Sequence, residues 1–390
     1  MLYITELIFV VSVITAGLLA VKAVDTITPI KLVEHGRNYQ IDGIRGFLAL
    51  FVFIHHSVIW KKYLSTGIWM NPDSNTFTNI GQVGVTIFFM ITGFLFFSKI
   101  RKGDPDWLRL YVSRVLRITP MFMISIALII IIVGVKTDWK LHVPIGELLL
   151  SIARWVPFTF GGMPNINGLH DTFAINAAVT WTLIFEWLFY LSLPVLSLIL
   201  NKKVSLFPLL IGITGFILLI IYPLSKIHII SFAFGFLASY LHKNDFVIKI
   251  SNHKITPILL LSLLIFELQY FNETYSIIPI SLCGIIFIAI SSGCDFYGVL
   301  NSKITRKLGE ATYSIYIIHG VIIFCVINFT GIDFLRLSTF EYFSFMSALS
   351  FVIVSLSCIT YKYIESPCIA MTAKVSKSIL SVKDKIKQPA

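Results

Sequence analysis

Long, nearly unbroken runs of Ile, Leu, Phe and Val recur along the chain, for instance from Met121 to Val135 and from Leu206 to Ile221. A water-soluble helix needs a polar face, so its apolar residues are spaced rather than continuous. Inside a bilayer only the chain itself can satisfy its backbone N–H and C=O groups, so such runs must be helices. Composition agrees. Of 390 residues, 56% are hydrophobic and 13% charged, the latter about half the usual share. These values exclude a soluble globular enzyme, a disordered chain and a secreted disulfide scaffold. The expected fold is all-α, a polytopic transmembrane helix bundle.

A span needs about 20 apolar residues. The candidates are 5–23, 44–62, 80–98, 117–135, 180–200, 206–223, 227–242, 255–271, 276–291, 311–330 and 341–362. A twelfth stretch, 145–160, is short and carries Glu147, Arg154 and Pro157. Basic residues remain on the cytoplasmic side of a membrane protein, and they decide the threading. With 145–160 read as an interfacial or re-entrant segment, 24 of the 31 Lys and Arg fall on one side and 7 on the other. Counting it as a span destroys that asymmetry. The 161–179 loop is then extracytoplasmic and both ends of the last ten spans cytoplasmic. The net charge of +11 therefore reads as topology, not as a nucleic-acid surface. The first span has no basic segment before it and does not resemble a cleaved signal. Residues 1–38 are expected to be an extra helix and connector, 39–368 the functional domain, and 369–390 a solvated basic tail. The five cysteines lack a C-x-x-C pair and read as apolar packing residues.

Ionisable groups inside spans are costly and mark candidate sites. The second span begins Asp42-Gly43-Ile44-Arg45-Gly46 and reaches His55-His56. At about 100° per residue, Arg45, His56 and Asp42 share one face, whereas His55 lies off it. Gly81, Gly84 and Gly93 let backbones approach closely. Arg114 and Arg117, three apart where the next loop ends, are neighbours on one helical face at the cytoplasmic boundary and present guanidinium forks suited to phosphate. Glu186 lies about a turn inside the expected outer boundary, with Tyr190 on its face. Tyr313, Tyr316 and His319 climb one side of another span, and Glu365-Ser366-Pro367 closes the last.

Taken in order, these segments resemble the membrane acyltransferase-3 family, which includes bacterial O-antigen and exopolysaccharide O-acetyltransferases. The similarity runs from about Tyr39 to Pro367 and rests on six motifs. They are Asp42-Gly43-Ile44-Arg45-Gly46 with His56; Phe88 to Leu95; Arg114 to Pro120; Trp181 to Pro194; Leu308 to His319; and Glu365-Ser366-Pro367. Thr92, Thr182 and Thr312 stand where the family has serine, which keeps the hydroxyl. The resemblance implies a ten-helix core, to which the first span is an addition, in the inner membrane of a bacterium. It also implies transfer of an acyl group, usually acetyl from acetyl-CoA, to a hydroxyl of a surface glycan or its lipid-linked precursor. No permanently bound cofactor or metal is implied. Expected roles follow. His56 is general base or acyl-carrying nucleophile, with Arg45 and Asp42 at the cytoplasmic mouth. Arg114, Arg117, Tyr313 and His319 serve the donor, and Glu186 orients the acceptor near the outer side. A proton- or solute-coupled transporter and a non-catalytic glycan assembly factor are the rival readings. The first would require inverted repeats or broken helices at matching positions; neither is evident in the sequence.

Overall fold

A computed structural model describes residues 2–32, 36–222 and 225–387. In chain order the helices are α1 (Leu2–Ile27), α2 (Tyr39–Thr66), α3 (Asn75–Lys102), α4 (Trp107–Lys136), α5 (Ile145–Trp155), α6 (Trp181–Leu198), α7 (Leu206–Ile221), α8 (Ser225–Leu241), α9 (Asp245–Ser251), α10 (Thr256–Tyr270), α11 (Ile277–Ser291), α12 (Lys303–Glu310), α13 (Thr312–Phe329), α14 (Thr339–Thr360), α15 (Ser366–Ala370) and α16 (Thr372–Lys387). A 3-10 turn at Thr172–Asn176 precedes α6, and a π turn at Tyr361–Glu365 follows α14. No β-strand occurs among the described residues. The molecule is an all-α polytopic membrane bundle.

Seven helical segments are long and apolar enough to span a membrane among the described residues. The remaining apolar helices α7, α8, α10 and α11 have 15–17 residues, about 22–26 Å at 1.5 Å per residue. They extend less than the full hydrocarbon thickness. Helix α10 matches the expected 255–271 span, and the short α9 before it meets it at a 78° bend. The 145–160 stretch yields α5, only 11 residues long. It buries Ser151 and Trp155 and exposes Ile145, Leu149 and Leu150, the pattern of a helix lying at an interface.

Local chemistry sets the long helix ends. Asn38 Oδ1 accepts the Ile41 N–H at 3.1 Å, and Asp106 Oδ1 accepts that of Arg109 at 3.0 Å, both N-caps. Helix α4 therefore begins before the expected span, and Arg114 and Arg117 sit in its second and third turns, on the shared helical face their spacing predicts. Ser338 and Glu341 form a capping box on α14. Close approach fixes α2 against α12 and the turn that precedes it. A Cβ on Gly43 would overlap the Leu300 carbonyl, and one on Gly309 the Asp42 carbonyl. Gly93 and Gly235 do the same where α3 crosses α8.

Helix α1 is packed into the bundle against α14. Phe9 stacks on Phe343 at 4.1 Å between centroids, and Ser12 hydrogen-bonds Ser347 at 2.7 Å. Its opposite face exposes Ile4, Leu7, Ile8 and Val11, as a lipid-facing helix does. The tail, expected to be solvated, is helical through Lys387, and α16 packs on α4.

Candidate active site

Helices α2 and α13 bring His56 and His319 together, 263 residues apart in sequence. His56 Nδ1 lies 2.9 Å from His319 Nε2, and both rings are buried. His319 Nδ1 lies 3.0 Å from the Ile315 carbonyl. A carbonyl only accepts, so His319 Nδ1 carries the hydrogen and its Nε2 presents a lone pair. His56 Nδ1 must then donate to that lone pair. The second nitrogen of His56, Nε2, is left with an available lone pair, as a base or nucleophile requires. Its neighbour His55 is committed elsewhere: Nδ1 donates to the Phe77 carbonyl at 2.7 Å. Among the described residues no group of His, Cys, Asp and Glu has metal-binding geometry.

A cavity of about 940 Å³ enters the bundle from the end where α3 finishes and α2 and α4 begin. It is lined by eight Lys and Arg side chains (Arg37, Arg45, Lys99, Arg101, Lys102, Arg114, Arg117 and Lys243) and two carboxylates, Asp42 and Glu186. Such a concentration of cations attracts an anionic ligand. Arg117 Nη2 is buried there without a hydrogen-bond partner. An unpaired guanidinium nitrogen in a cavity wall is a donor awaiting an acceptor. Arg45 stands 3.8 Å from Asp42, which also faces Arg37 at 3.6 Å.

A second tier braces this mouth. Arg37 pairs with Glu310, whose other oxygen accepts the Tyr361 hydroxyl at 2.8 Å. Burial pushes the Glu310 carboxyl up, but Arg37, Arg45 and Tyr361 outweigh it and hold it below the ordinary carboxylate range. Burial lowers Arg37 in turn, and Glu310 and Asp42 more than reverse that. The π turn at the end of α14 carries Glu365, fully buried and bonded by Ser314. Single π turns inside helical segments often occur at functional sites.

The inner floor of the cavity is Thr182 and Tyr316, whose hydroxyls meet at 2.7 Å. One turn beyond Tyr316 on α13 stands His319, with His56 against it. Two expected placements change here. His319 does not line the cavity; it meets His56. Glu186 does line it, bonded by Tyr190, and shares the space with Arg114 and Tyr313 rather than standing at the outer side. The reason is the folded 156–180 segment, which covers the start of α6, so its first turns lie within the protein instead of at a boundary. Tyr313 lines the cavity too, with its hydroxyl donating to the Ile118 carbonyl at 2.8 Å.

The family model for an acyltransferase domain of the acyltransferase-3 type matches residues 38–362. The chain belongs to the membrane acyltransferase-3 family. Searches of curated proteins and of solved structures return no match. In this acyltransferase, Arg37 and Glu310 were not singled out from the sequence. Arg37 lies just before α2, outside any apolar run, so nothing marked it as buried. Glu310 lies within the Leu308–His319 motif but at a span boundary, where a carboxylate is commonplace.

Proposed function

We propose that this acyltransferase moves an acetyl group from acetyl-CoA to a hydroxyl of a cell-surface polysaccharide or its lipid-linked precursor, in the inner membrane of a bacterium. The basic end of the bundle faces the cytoplasm, where acetyl-CoA arrives, and the C-terminus lies on that side. The observation that carries this reading is the place of His56. It stands between a strongly basic cavity at one end and a second, aromatic pocket at the other, with one ring nitrogen held and the other free.

The phosphates of the donor pair with Arg114, Arg117 and the lysines of the mouth, where bidentate guanidinium contacts hold phosphate oxygens. Arg45, kept in position by Asp42, guides the donor inward. The thioester passes the Tyr316–Thr182 floor towards the histidine pair. His56 Nε2 takes the proton of the acceptor hydroxyl as its oxygen attacks the thioester carbonyl carbon. The carbon–sulfur bond then breaks, and the proton goes to the departing thiolate. As the proton arrives, the positive charge on His56 is shared with His319 through their hydrogen bond. The separation of the two cavities also supports a relay, in which His56 Nε2 attacks the thioester first and carries the acetyl group to the acceptor. Rapid quenching followed by peptide mass analysis decides between them: acetyl on His56 means relay, and its absence during turnover means direct transfer.

Purified protein with radiolabelled acetyl-CoA and polysaccharide from a strain deleted for this gene tests the whole reading. Label on the polysaccharide supports it. Substrate flux across vesicles without label transfer indicates a transporter, and neither result an assembly factor; both contradict it.

A further inference from the structure

Helices α2, α4 and α13 each run from the basic cavity to the opposite end of the bundle, where their last turns meet the 156–180 segment. A pocket of about 180 Å³ opens there, walled by Trp60, Tyr63, Lys136, Asp171 and Asn328, with His170 at its rim. Resting on the transferase reading above, we propose that this pocket seats one sugar ring of the acceptor and that Tyr63 and Asp171 orient it.

Four observations converge. First, Trp60 and Tyr63 wall the pocket, with Tyr63 the more open ring, and both are braced edge-to-face by each other and by Trp69 behind them, with centroids 5.3, 5.4 and 5.6 Å apart. Rigid aromatic faces of this kind receive the C–H face of a sugar. Second, the polar wall offers both acceptors and donors, as a polyhydroxylated ligand requires. Asp171 Oδ2 takes the Tyr63 hydroxyl at 2.9 Å and keeps free lone pairs. Lys136 Nζ donates to Asn328 Oδ1 at 3.2 Å. Third, Trp60 is 2% exposed, and its indole N–H has no acceptor. A buried donor in a pocket wall is rarely left unfilled. Fourth, a single aromatic ring joins the pocket wall to the histidine pair. Trp69 lies 5.4 Å from Trp60 and 6.4 Å, stacked, from His56. A sugar ring seated against this wall would therefore lie one aromatic ring, Trp69, from His56. The volume is below that of a drug-sized ligand site, which suits a single ring and excludes a dinucleotide-sized donor.

The test uses purified Tyr63→Phe, Asp171→Asn and Asn328→Ala proteins with acetyl-CoA and the polysaccharide of the deletion strain. Each variant is predicted to raise the acceptor KM about tenfold while leaving unchanged both the acetyl-CoA KM and the thermal stabilisation by acetyl-CoA. Wild-type acceptor KM in all three overturns the pocket assignment, as does an equal rise in both KM values. The underlying reading fails separately: wild-type protein that is neither stabilised by acetyl-CoA nor active would remove it, and this assignment with it.

Discussion

A histidine acting as base needs one ring nitrogen held in a known protonation state so that the other is free. In this chain the Ile315 carbonyl does that at one remove, through His319. His319→Ala is therefore predicted to lower kcat by roughly 10²-fold, within the range for general-base effects, with the acetyl-CoA KM nearly unchanged. His319→Gln, whose amide oxygen can accept the same proton, should recover part of the rate; equal loss in both variants would assign His319 to packing. Arg117 has a different signature. Losing a charge-assisted hydrogen bond costs about 1.5–3 kcal/mol, so Arg117→Ala should raise the acetyl-CoA KM by roughly tenfold or more. Arg117→Lys should not restore it, because lysine lacks the fork. Glu310 adds a pH dependence. Its folded carboxyl lies below the ordinary range, so its stabilisation is present above the unfolded value and is lost as pH falls through the lower folded one. Glu310→Gln should lower Tm at pH 7, with the deficit shrinking in acid; a deficit constant down to pH 3 would contradict this. The spacing along α2 already distinguished His56 from His55, because helical phase is local. The partner of His56 was not legible, since a contact between residues 263 apart depends on how two helices pack.

Helices rather than loops carry nearly every candidate group, and their ends decide depth. Hydropathy marks where a helix becomes apolar, not where Asp106 caps it, so α4 begins well before the expected 117–135 span, while Arg114 and Arg117 share a helical face as their spacing predicts. Glu186 was placed too near one boundary for the related reason that α6 starts beneath a folded segment. By contrast, the reading of 145–160 as non-spanning matches an 11-residue α5, because charge asymmetry and length gave the same answer. The small-residue spacing in α3 likewise corresponds to real crossings. The D-G-x-R-G run gains a packing reason: Gly43 admits the Leu300 carbonyl of the turn before α12, and Gly309 lets α12 lie directly on α2, which holds Asp42 and Arg45 at the mouth. Overlap with backbone cannot be relieved by a side-chain turn. Gly43→Ala should thus lower stability by about 1–3 kcal/mol or prevent folding, read as Tm in detergent. Gly103→Ala, with no atom within 4 Å, is the control; equal effects would remove the packing account.

The whole molecule has a direction, with a basic cavity at one end, an aromatic pocket at the other and a histidine pair between them. Charge asymmetry predicts that the basic end is cytoplasmic. In a variant whose five native cysteines are replaced, Lys140→Cys should react with an impermeant maleimide in intact cells. Lys203→Cys should react only after lysis; the reverse pattern would invert the orientation. The family could be recognised from six motifs in order, since motif residues keep their spacing. The second pocket could not, because its walls come from α2, α4, α13 and a loop. The central claim is that His56 performs the transfer. His56→Ala, expressed in cells lacking the native gene and checked for membrane insertion, is predicted to leave the surface polysaccharide without acetyl groups that wild-type protein restores. Wild-type acetylation in that variant would contradict the account.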